Sequence, residues 1–195
     1  MSHQYEVAII VGSLRTASVN RIAAQALTRL APPHLRFRFV EIGDLPLYNE
    51  DTEAAGPPAA WTRFREEVGS ADAVLFVSPE YNRTMPGALK NAIDVGSRPY
   101  GQAAWSGKPA AVMTLSPGGI GGFGANHDIR QALVFLDMPV MQQPEAYVGG
   151  AWSLFDDAGE FKSDDTRAFF AKFIGAFAGW IERTAPARSK ERAAA

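Results

Sequence analysis

Four hydrogen-bond donors are crowded into one short stretch of the sequence, directly after an apolar run. Within "VGSLRTASVN" (residues 11–20) these donors are Ser13, Arg15, Ser18 and Asn20. A helix is predicted to begin between Thr16 and Ser18, so its free backbone N–H groups and its positive dipole end face the same turn. Convergent donors at a helix start predict an anion site, which we interpret as a site for a phosphate monoester. Helix capping alone is the competing interpretation.

This first turn differs from the known nucleotide-binding loop that uses a lysine. It has no Gly-Lys-Ser/Thr, so it lacks both the phosphate-binding lysine and the magnesium-binding hydroxyl of a P-loop. A terminal phosphate bound without metal suits a mononucleotide such as FMN better than ATP. The three histidines, His3, His34 and His127, are scattered without metal-ligand spacing, so we predict no metal.

A second turn, "SPEYNRTMPGALKN" (residues 78–91), follows another apolar run. Pro79 ends the predicted strand, and Glu80, Tyr81 and Asn82 stand where a planar ring would lie. The edge of an isoalloxazine presents carbonyls and an N–H, which peptide groups and an amide can match. An ordinary proline-rich loop with a packing tyrosine explains the same composition equally well.

A third turn, "SPGGIGGFG" (residues 116–124), is rich in glycine. Gly119, Gly121 and Gly124 satisfy the G-x-G-x-x-G dinucleotide fingerprint, and Glu145 stands at a suitable distance for a ribose carboxylate. The fingerprint belongs in the first βα turn, however, and Glu145 follows a proline instead of a clean strand end. We therefore favour the simpler use of glycine, which lets the backbone approach a flat ring closely.

The composition limits the possible functions. The chain has 195 residues, a formal net charge of -2 and no cysteine. The charge argues against a nucleic-acid binder, and the length suits one domain. Without thiols, any redox chemistry must be carried by a cofactor. No targeting segment or membrane span is evident, so we expect a cytoplasmic protein that does not contact a membrane.

The elements that must position the three turns alternate along the chain. Apolar runs predict strands at residues 5–11, 35–42, 72–78, 108–116 and 139–149, with amphipathic helices after each and a loop at 50–61. Five βα units predict an α/β fold with three layers and a doubly wound, five-stranded parallel sheet. Residues 1–185 are expected to form this single domain and 186–195 a disordered tail. Ligands of such sheets lie at the carboxyl ends of the strands, where the three turns are.

With the three turns in this order, the chain resembles the NADPH-dependent FMN reductase family of flavodoxin-like fold, in particular its quinone and chromate reductase branch. The resemblance rests on "GSLRTASVN", "SPEYNRTMPGALKNAID", "SPGGIGG" and "IRQALVFLDMPVMQQPE". It implies that the first turn holds the phosphate of FMN and that the other two flank its ring. The implied cofactor-binding residues are Ser13, Arg15, Ser18, Val19, Asn20, Pro79, Glu80, Tyr81, Asn82, Arg83, Ser116, Gly118 and Gly119.

The resemblance also implies an activity and an assembly. We expect hydride transfer from NADPH or NADH to FMN, then electron transfer to quinone, azo, nitro, free flavin or metal-oxyanion acceptors in a ping-pong cycle. No catalytic side chain is assigned. A homodimer or tetramer is expected. The alternatives are a non-enzymatic electron carrier of the flavodoxin kind and a nicotinamide-binding regulator without flavin. We expect His127 to lie at the surface, and Tyr100 and Trp105 to pack rather than to cover a flavin.

Overall fold

A computed structural model of the chain describes residues 4–185. Five parallel strands form one sheet in the order β2-β1-β3-β4-β5. This is the order of flavodoxin-like doubly wound sheets, which confirms the predicted fold class. The strands are β1 (Tyr5–Val11), β2 (Leu35–Phe39), β3 (Ala73–Ser78), β4 (Ala110–Leu115) and β5 (Ala146–Val148).

Helices cover both faces of the sheet and give the three predicted layers. They are α1 (Val19–Leu30), α2 (Glu50–Ala55), α3 (Ala59–Ser70), α4 (Gly87–Gly96), α5 (Phe123–Phe135) and α6 (Asp164–Thr184). Side chains of α1 and α6 pack with Val7, Ile9 and Val11 on one face of β1. Those of α3, α4 and α5 pack with Ala8 and Ile10 on the other. Burial on both faces explains why these strands are continuous apolar runs.

The predicted loop at 50–61 is wrong over Glu50–Ala55, which form α2, and it is limited to residues 56–58, since α3 begins at Ala59. The side chain of Asn49 caps α2 by accepting a hydrogen bond from the N–H of Asp51 at 2.7 Å. Glu50, Asp51 and Glu53 place negative charge in the first turn, which favours the helix dipole. No residue of α2 is buried, so it has no apolar period that a sequence could reveal.

The predicted fifth strand, 139–149, is shorter in the structure. Only Ala146–Val148 pair with β4, while Val140 forms a single bridge to Ala110. Between them stands Pro144, which has no N–H to donate to a ladder. The predicted tail at 186–195 lies outside the described residues. None of the helices within residues 4–185 combines the length and the hydrophobicity that a membrane span requires.

Trp105 confirms the expected packing role. It is fully buried, its indole N–H donates to the carbonyl of Ile93 at 3.0 Å, and its ring centre lies 5.8 Å from those of Phe64 and Phe76. Tyr100, in contrast, is 87% exposed, so the expected packing of this residue is wrong for the single chain.

Candidate active site

The first turn is held against the sheet by its glycine. The N–H of Gly12 donates to the carbonyl of Val77 at 2.9 Å, and a Cβ at Gly12 would overlap the Ser78 hydroxyl. The turn then leads into α1, where Ser18 is the N-cap and its hydroxyl accepts from the N–H of Arg21 at 3.4 Å. The helix N-terminus is therefore directed at the carboxyl edge of the sheet.

A cavity of about 280 Å³ lies where the three turns meet. Its lining includes nine residues that the sequence predicted: Ser13, Arg15, Ser18, Val19, Asn20, Pro79, Glu80, Tyr81 and Ser116. Leu115, Pro117 and Trp152 complete the lining, whereas Asn82, Arg83, Gly118 and Gly119 are not part of it. A more apolar cavity of about 300 Å³ adjoins it across Arg15 and Tyr81, over the start of α4.

The polar groups of the first turn fit a phosphate monoester. Ser13, Ser18 and Asn20 are buried, while Arg15 is exposed at the cavity rim. The Oδ1 of Asn20 is buried without any hydrogen-bond partner, a costly state unless a ligand completes it. Rotation of a side-chain amide by about 180° exchanges its oxygen and its nitrogen. Asn20 can therefore present its NH₂ group to a phosphate oxygen. Hydroxyls, a guanidinium and the helix N-terminus supply the remaining donors.

The second turn is a tight hairpin. Tyr81 and Thr84 exchange two backbone hydrogen bonds of 3.0 Å, and the two residues between them are left-handed, with φ of 52° at Asn82 and 67° at Arg83. Asparagine adopts this conformation readily, whereas arginine does so at a cost. Backbone strain of this kind persists where the surroundings over-determine it, often at a binding site. Here it places Tyr81 at the wall of the cavity.

Two carboxylates tie the second turn to α5. Glu80 Oε2 accepts from the N–H of Ala125 at 3.0 Å, and Glu80 Oε1 lies 3.4 Å from the guanidinium of Arg83. Asp128 accepts from the Thr84 hydroxyl and, at 3.2 Å, from the N–H of Met85. The carboxylate of Glu80 is therefore used in capping α5, although the residue borders the cavity.

The third turn does not have the geometry of a dinucleotide fingerprint. The N-terminus of α5, where a pyrophosphate would bind, already holds the Glu80 carboxylate. Glu145 precedes β5, so it lies on the amino side of that strand and not at its carboxyl end. The turn is instead fixed by backbone bonds, from the Ser116 N–H to the Val148 carbonyl at 3.0 Å and from Gly121 to Gly118 at 3.2 Å.

Three residues of the cavity were not predicted from the sequence, and Trp152 is the one that lies outside the three turns and the strands that precede them. It lies in a short 3-10 helix, Ala151–Ser153, and is 73% exposed. The N–H of Ala151 donates to the Ser116 carbonyl at 3.1 Å, which attaches this segment to the third turn. An aromatic residue just after β5, at the edge where ligands bind, was the available signal.

His127 lies outside the lining of the cavity, in an aromatic cluster on α5. Its Nε2 is 3.1 Å from the hydroxyl of Tyr147, and its ring centre is 4.2 Å from that of Phe123. Burial, and then the neighbouring Glu145 carboxylate, raises the pKa of Tyr147 to about 12. Within residues 4–185 there is no group of three or more His, Asp or Glu side chains that could hold a metal ion.

Comparison with known proteins shows the family to which the chain belongs. Residues 5–153 match the model of the family described as NADPH-dependent FMN reductase. The chain belongs to this family. A quinone reductase of Pseudomonas putida is 66% identical over 182 residues, which cover 93% of this chain and 97% of that protein. A 2-hydroxy-1,4-benzoquinone reductase of a Burkholderia species is 44% identical over 90% of this chain and 96% of that protein.

A solved structure agrees with these relatives. FerB, a flavoenzyme NAD(P)H:(acceptor) oxidoreductase from Paracoccus denitrificans, superimposes with a TM-score of 0.87 at 41% identity, covering 93% of this chain and all of that one. As an FMN reductase family member, this protein is an oxidoreductase that uses FMN and NAD(P)H. That conclusion agrees with the complete lack of cysteine, since its own side chains cannot carry electrons.

Proposed function

We propose that this FMN reductase family protein is an NAD(P)H:quinone oxidoreductase whose FMN lies in the cavity between the three turns. NAD(P)H and H⁺ reduce a quinone to its hydroquinone, leaving NAD(P)⁺, so two electrons and two protons balance. The observation that carries the proposal is the set of buried polar side chains in the first turn, among them Asn20, whose Oδ1 has no hydrogen-bond partner. The names of the Pseudomonas and Burkholderia proteins support a quinone as the acceptor, and the name of the Paracoccus protein supports NAD(P)H as the electron donor.

The first turn would hold the phosphate. Ser13 and Ser18 would donate their hydroxyl hydrogens and Asn20 its amide N–H, while Arg15 balances the negative charge from the rim. The backbone N–H groups at the start of α1 would add donors without any lysine or metal. The phosphate would thus fix one end of the cofactor and leave the ring to be oriented by the other turns.

The second and third turns would flank the ring. Pro79, Glu80 and Tyr81 of the second turn and Ser116 of the third line the cavity. We assign Asn82, Arg83, Gly118 and Gly119 to the surroundings of the ring as well. Bound FMN would accept a hydride from NAD(P)H and pass electrons to the acceptor. Backbone N–H groups of residues 116–122 would stabilise the negative charge that reduction places at the pyrimidine edge.

The proposal also covers the order in which the substrates bind, the range of electron acceptors and the oligomeric state. An open cavity suits a ping-pong sequence in which the nicotinamide leaves before the acceptor enters. The same opening would admit azo, nitro and free-flavin acceptors and metal oxyanions such as chromate. We further propose a homodimer, or a tetramer built from two of them, in the cytoplasm, where NAD(P)H is available.

Arg15→Ala tests the phosphate assignment. Removing a charge-assisted hydrogen bond costs about 1.5–3 kcal/mol, so we expect FMN affinity to fall roughly 10- to 100-fold. Flavin fluorescence quenching during titration of the FMN-free protein measures it, and circular dichroism checks the fold. Arg36→Ala is the matched control, because Arg36 is equally exposed but lies near the start of β2, away from the cavity. Unchanged FMN affinity in Arg15→Ala would contradict the proposal.

Initial rates test the order of reaction. With NADPH varied at several fixed benzoquinone concentrations, a ping-pong cycle gives parallel double-reciprocal lines, and a ternary complex gives intersecting ones. A protein whose bound flavin is not bleached by NADPH or by NADH under nitrogen would contradict the reductase activity itself.

A further inference from the structure

A third cavity, of about 540 Å³, borders the first turn and the end of β2. It shares Ser13 and Arg15 with the site proposed for FMN, and the rest of its lining comes from the ends of β1 and β2, the first turn, α1 and the segment that follows β2. The proposed FMN site makes no use of it. Its volume falls in the range of small-molecule sites, roughly 300–1,000 Å³.

The wall of this cavity carries opposite charges and an aromatic ring. Arg21 and Glu41 form an ion pair of 2.5 Å, with 36% and 60% of their side chains exposed, so a ligand can reach both. The guanidinium carbon of Arg21 lies 5.4 Å from the centre of the Phe39 ring, which keeps the cation against the wall. Ser13 and Thr16 add hydroxyls on the other side.

The position of the pair has a chemical meaning in parallel sheets. β1 and β2 are neighbours, and Glu41 stands just beyond the carboxyl end of β2 at Phe39. In doubly wound nucleotide-binding sheets, a carboxylate at this position accepts hydrogen bonds from the adenosine ribose hydroxyls of NAD, and an arginine nearby accommodates the 2′-phosphate of NADP. This chain carries both groups at that point, paired with each other.

We propose that this cavity binds the adenosine ribose of the nicotinamide nucleotide and that the Arg21–Glu41 pair sets the choice between NADPH and NADH. The inference rests on the proposed function. Glu41 accepts from the 2′-hydroxyl of NADH, and Arg21 binds the 2′-phosphate of NADPH. Because each partner neutralises the other, the protein accepts both nucleotides with little preference.

Two variants of the FMN-loaded protein should shift this choice in opposite directions. Glu41→Gln frees the arginine, so the KM for NADPH falls relative to that for NADH. Arg21→Gln leaves the Glu41 carboxylate without its cation. Because that carboxylate repels a 2′-phosphate, the KM for NADPH rises relative to that for NADH. We expect the ratio of the two KM values to change about tenfold in each variant, which is the effect of one charge-assisted hydrogen bond. Exposed ion pairs contribute little to stability, so both variants should fold.

Arg29→Gln is the matched control. Arg29 lies on the same helix, is 45% exposed and pairs with Glu160 at 3.5 Å, but it is outside the cavity. Its variant should leave the NADPH/NADH ratio within twofold of the original. If the ratio responded only to the net charge of α1, Arg29→Gln would change it as much as Arg21→Gln does.

Isothermal calorimetry with 2′,5′-ADP and 5′-ADP gives a readout that does not depend on turnover. We expect 2′,5′-ADP to bind, Arg21→Gln to weaken it about tenfold, and 5′-ADP to be little affected. Two results would overturn the inference. One is that both variants keep their reductase activity and the ratio of the KM for NADPH to that for NADH does not change. The other is that Arg21→Gln binds 2′,5′-ADP as tightly as the original protein does. If the original protein oxidises neither nucleotide, the proposed function fails, and the calorimetry alone decides for or against the cavity.

Discussion

The first and third turns border the same cavity, yet they are built in opposite ways. The first turn brings polar side chains into it, and three of them, Ser13, Ser18 and Asn20, are buried there. The third turn contributes mainly backbone, with Ser116 and Pro117 in the lining and a run of glycines after them. The first turn keeps polar groups available to a ligand, whereas the third provides close packing.

The glycines of the third turn divide into two groups. A Cβ at Gly119 would meet no heavy atom within 4 Å, and one at Gly118 would come no nearer than 3.8 Å, to the Ser116 hydroxyl. A Cβ at Gly121 would overlap the backbone carbonyl of Tyr147, and one at Gly122 would lie 2.9 Å from Thr114. Of the three glycines that match the dinucleotide fingerprint, packing therefore explains Gly121, against β5, and Gly124, whose Cβ would overlap the carbonyl oxygen of Arg83, but not Gly119.

The largest effect is expected from Gly121→Ala. This residue has a φ of +67°, and its added Cβ would lie 2.6 Å from the Val148 nitrogen, which cannot move as a side chain can. The strained backbone costs about 1–3 kcal/mol, and overpacking costs about 1–3 kcal/mol more. We expect a loss of several kcal/mol in the free energy of unfolding, measured by urea denaturation of the FMN-free protein.

Gly119→Ala is the matched variant within the same turn. Its Cβ would enter open space, so stability should stay within about 0.5 kcal/mol of the original. The affinity for FMN should fall, since the methyl group would stand where the ring approaches the backbone. If Gly119→Ala and Gly121→Ala destabilised the protein equally, the distinction between glycines needed for packing and glycines that face the ligand would be wrong.

A smaller effect is expected from Ser18→Ala in the first turn. The Ser18 hydroxyl caps α1 through the Arg21 N–H, and losing such a cap costs about 1 kcal/mol. Ser163 is a useful comparison, because it is the N-cap of α6 but its side chain makes no capping hydrogen bond. Thermal denaturation should show a larger loss for Ser18→Ala than for Ser163→Ala, and FMN binding should weaken only in the former. Equal losses, with FMN binding intact in both, would contradict both roles of Ser18.

The same contrast explains what could be predicted from the sequence. Buried parallel strands have apolar sequences, so their positions can be predicted. Because the carboxyl ends of parallel strands lie at the same edge of the sheet, it was also predictable that the three turns come together there. Contacts between distant segments have no local pattern. The Glu80 carboxylate capping α5 and the ion pair of Arg21 with Glu41 belong to this kind. The helix α2 was missed because it buries nothing.

The smallest effect concerns the β5 side of the third turn and depends on pH. The pKa of Tyr147 is raised to about 12 by burial and by the nearby Glu145 carboxylate, whereas an unfolded tyrosine has a pKa of about 10. The folded state therefore keeps its proton more tightly. Its contribution to stability is fully present below about pH 10 and is lost as the pH rises through the folded pKa of about 12.

Tyr147→Phe should remove this dependence. At pH 8 the variant loses the interactions of the hydroxyl with His127 and Glu145, and a hydrogen bond of this kind contributes about 0.5–1.5 kcal/mol. As the pH rises from about 10 to 12, the original protein loses stability that the variant cannot lose, so the difference between their urea midpoints narrows. Other titrating groups cancel in that difference. A constant difference from pH 8 to pH 11 would mean that the Tyr147 hydroxyl is solvated, and that β5 contacts the third turn through its backbone alone.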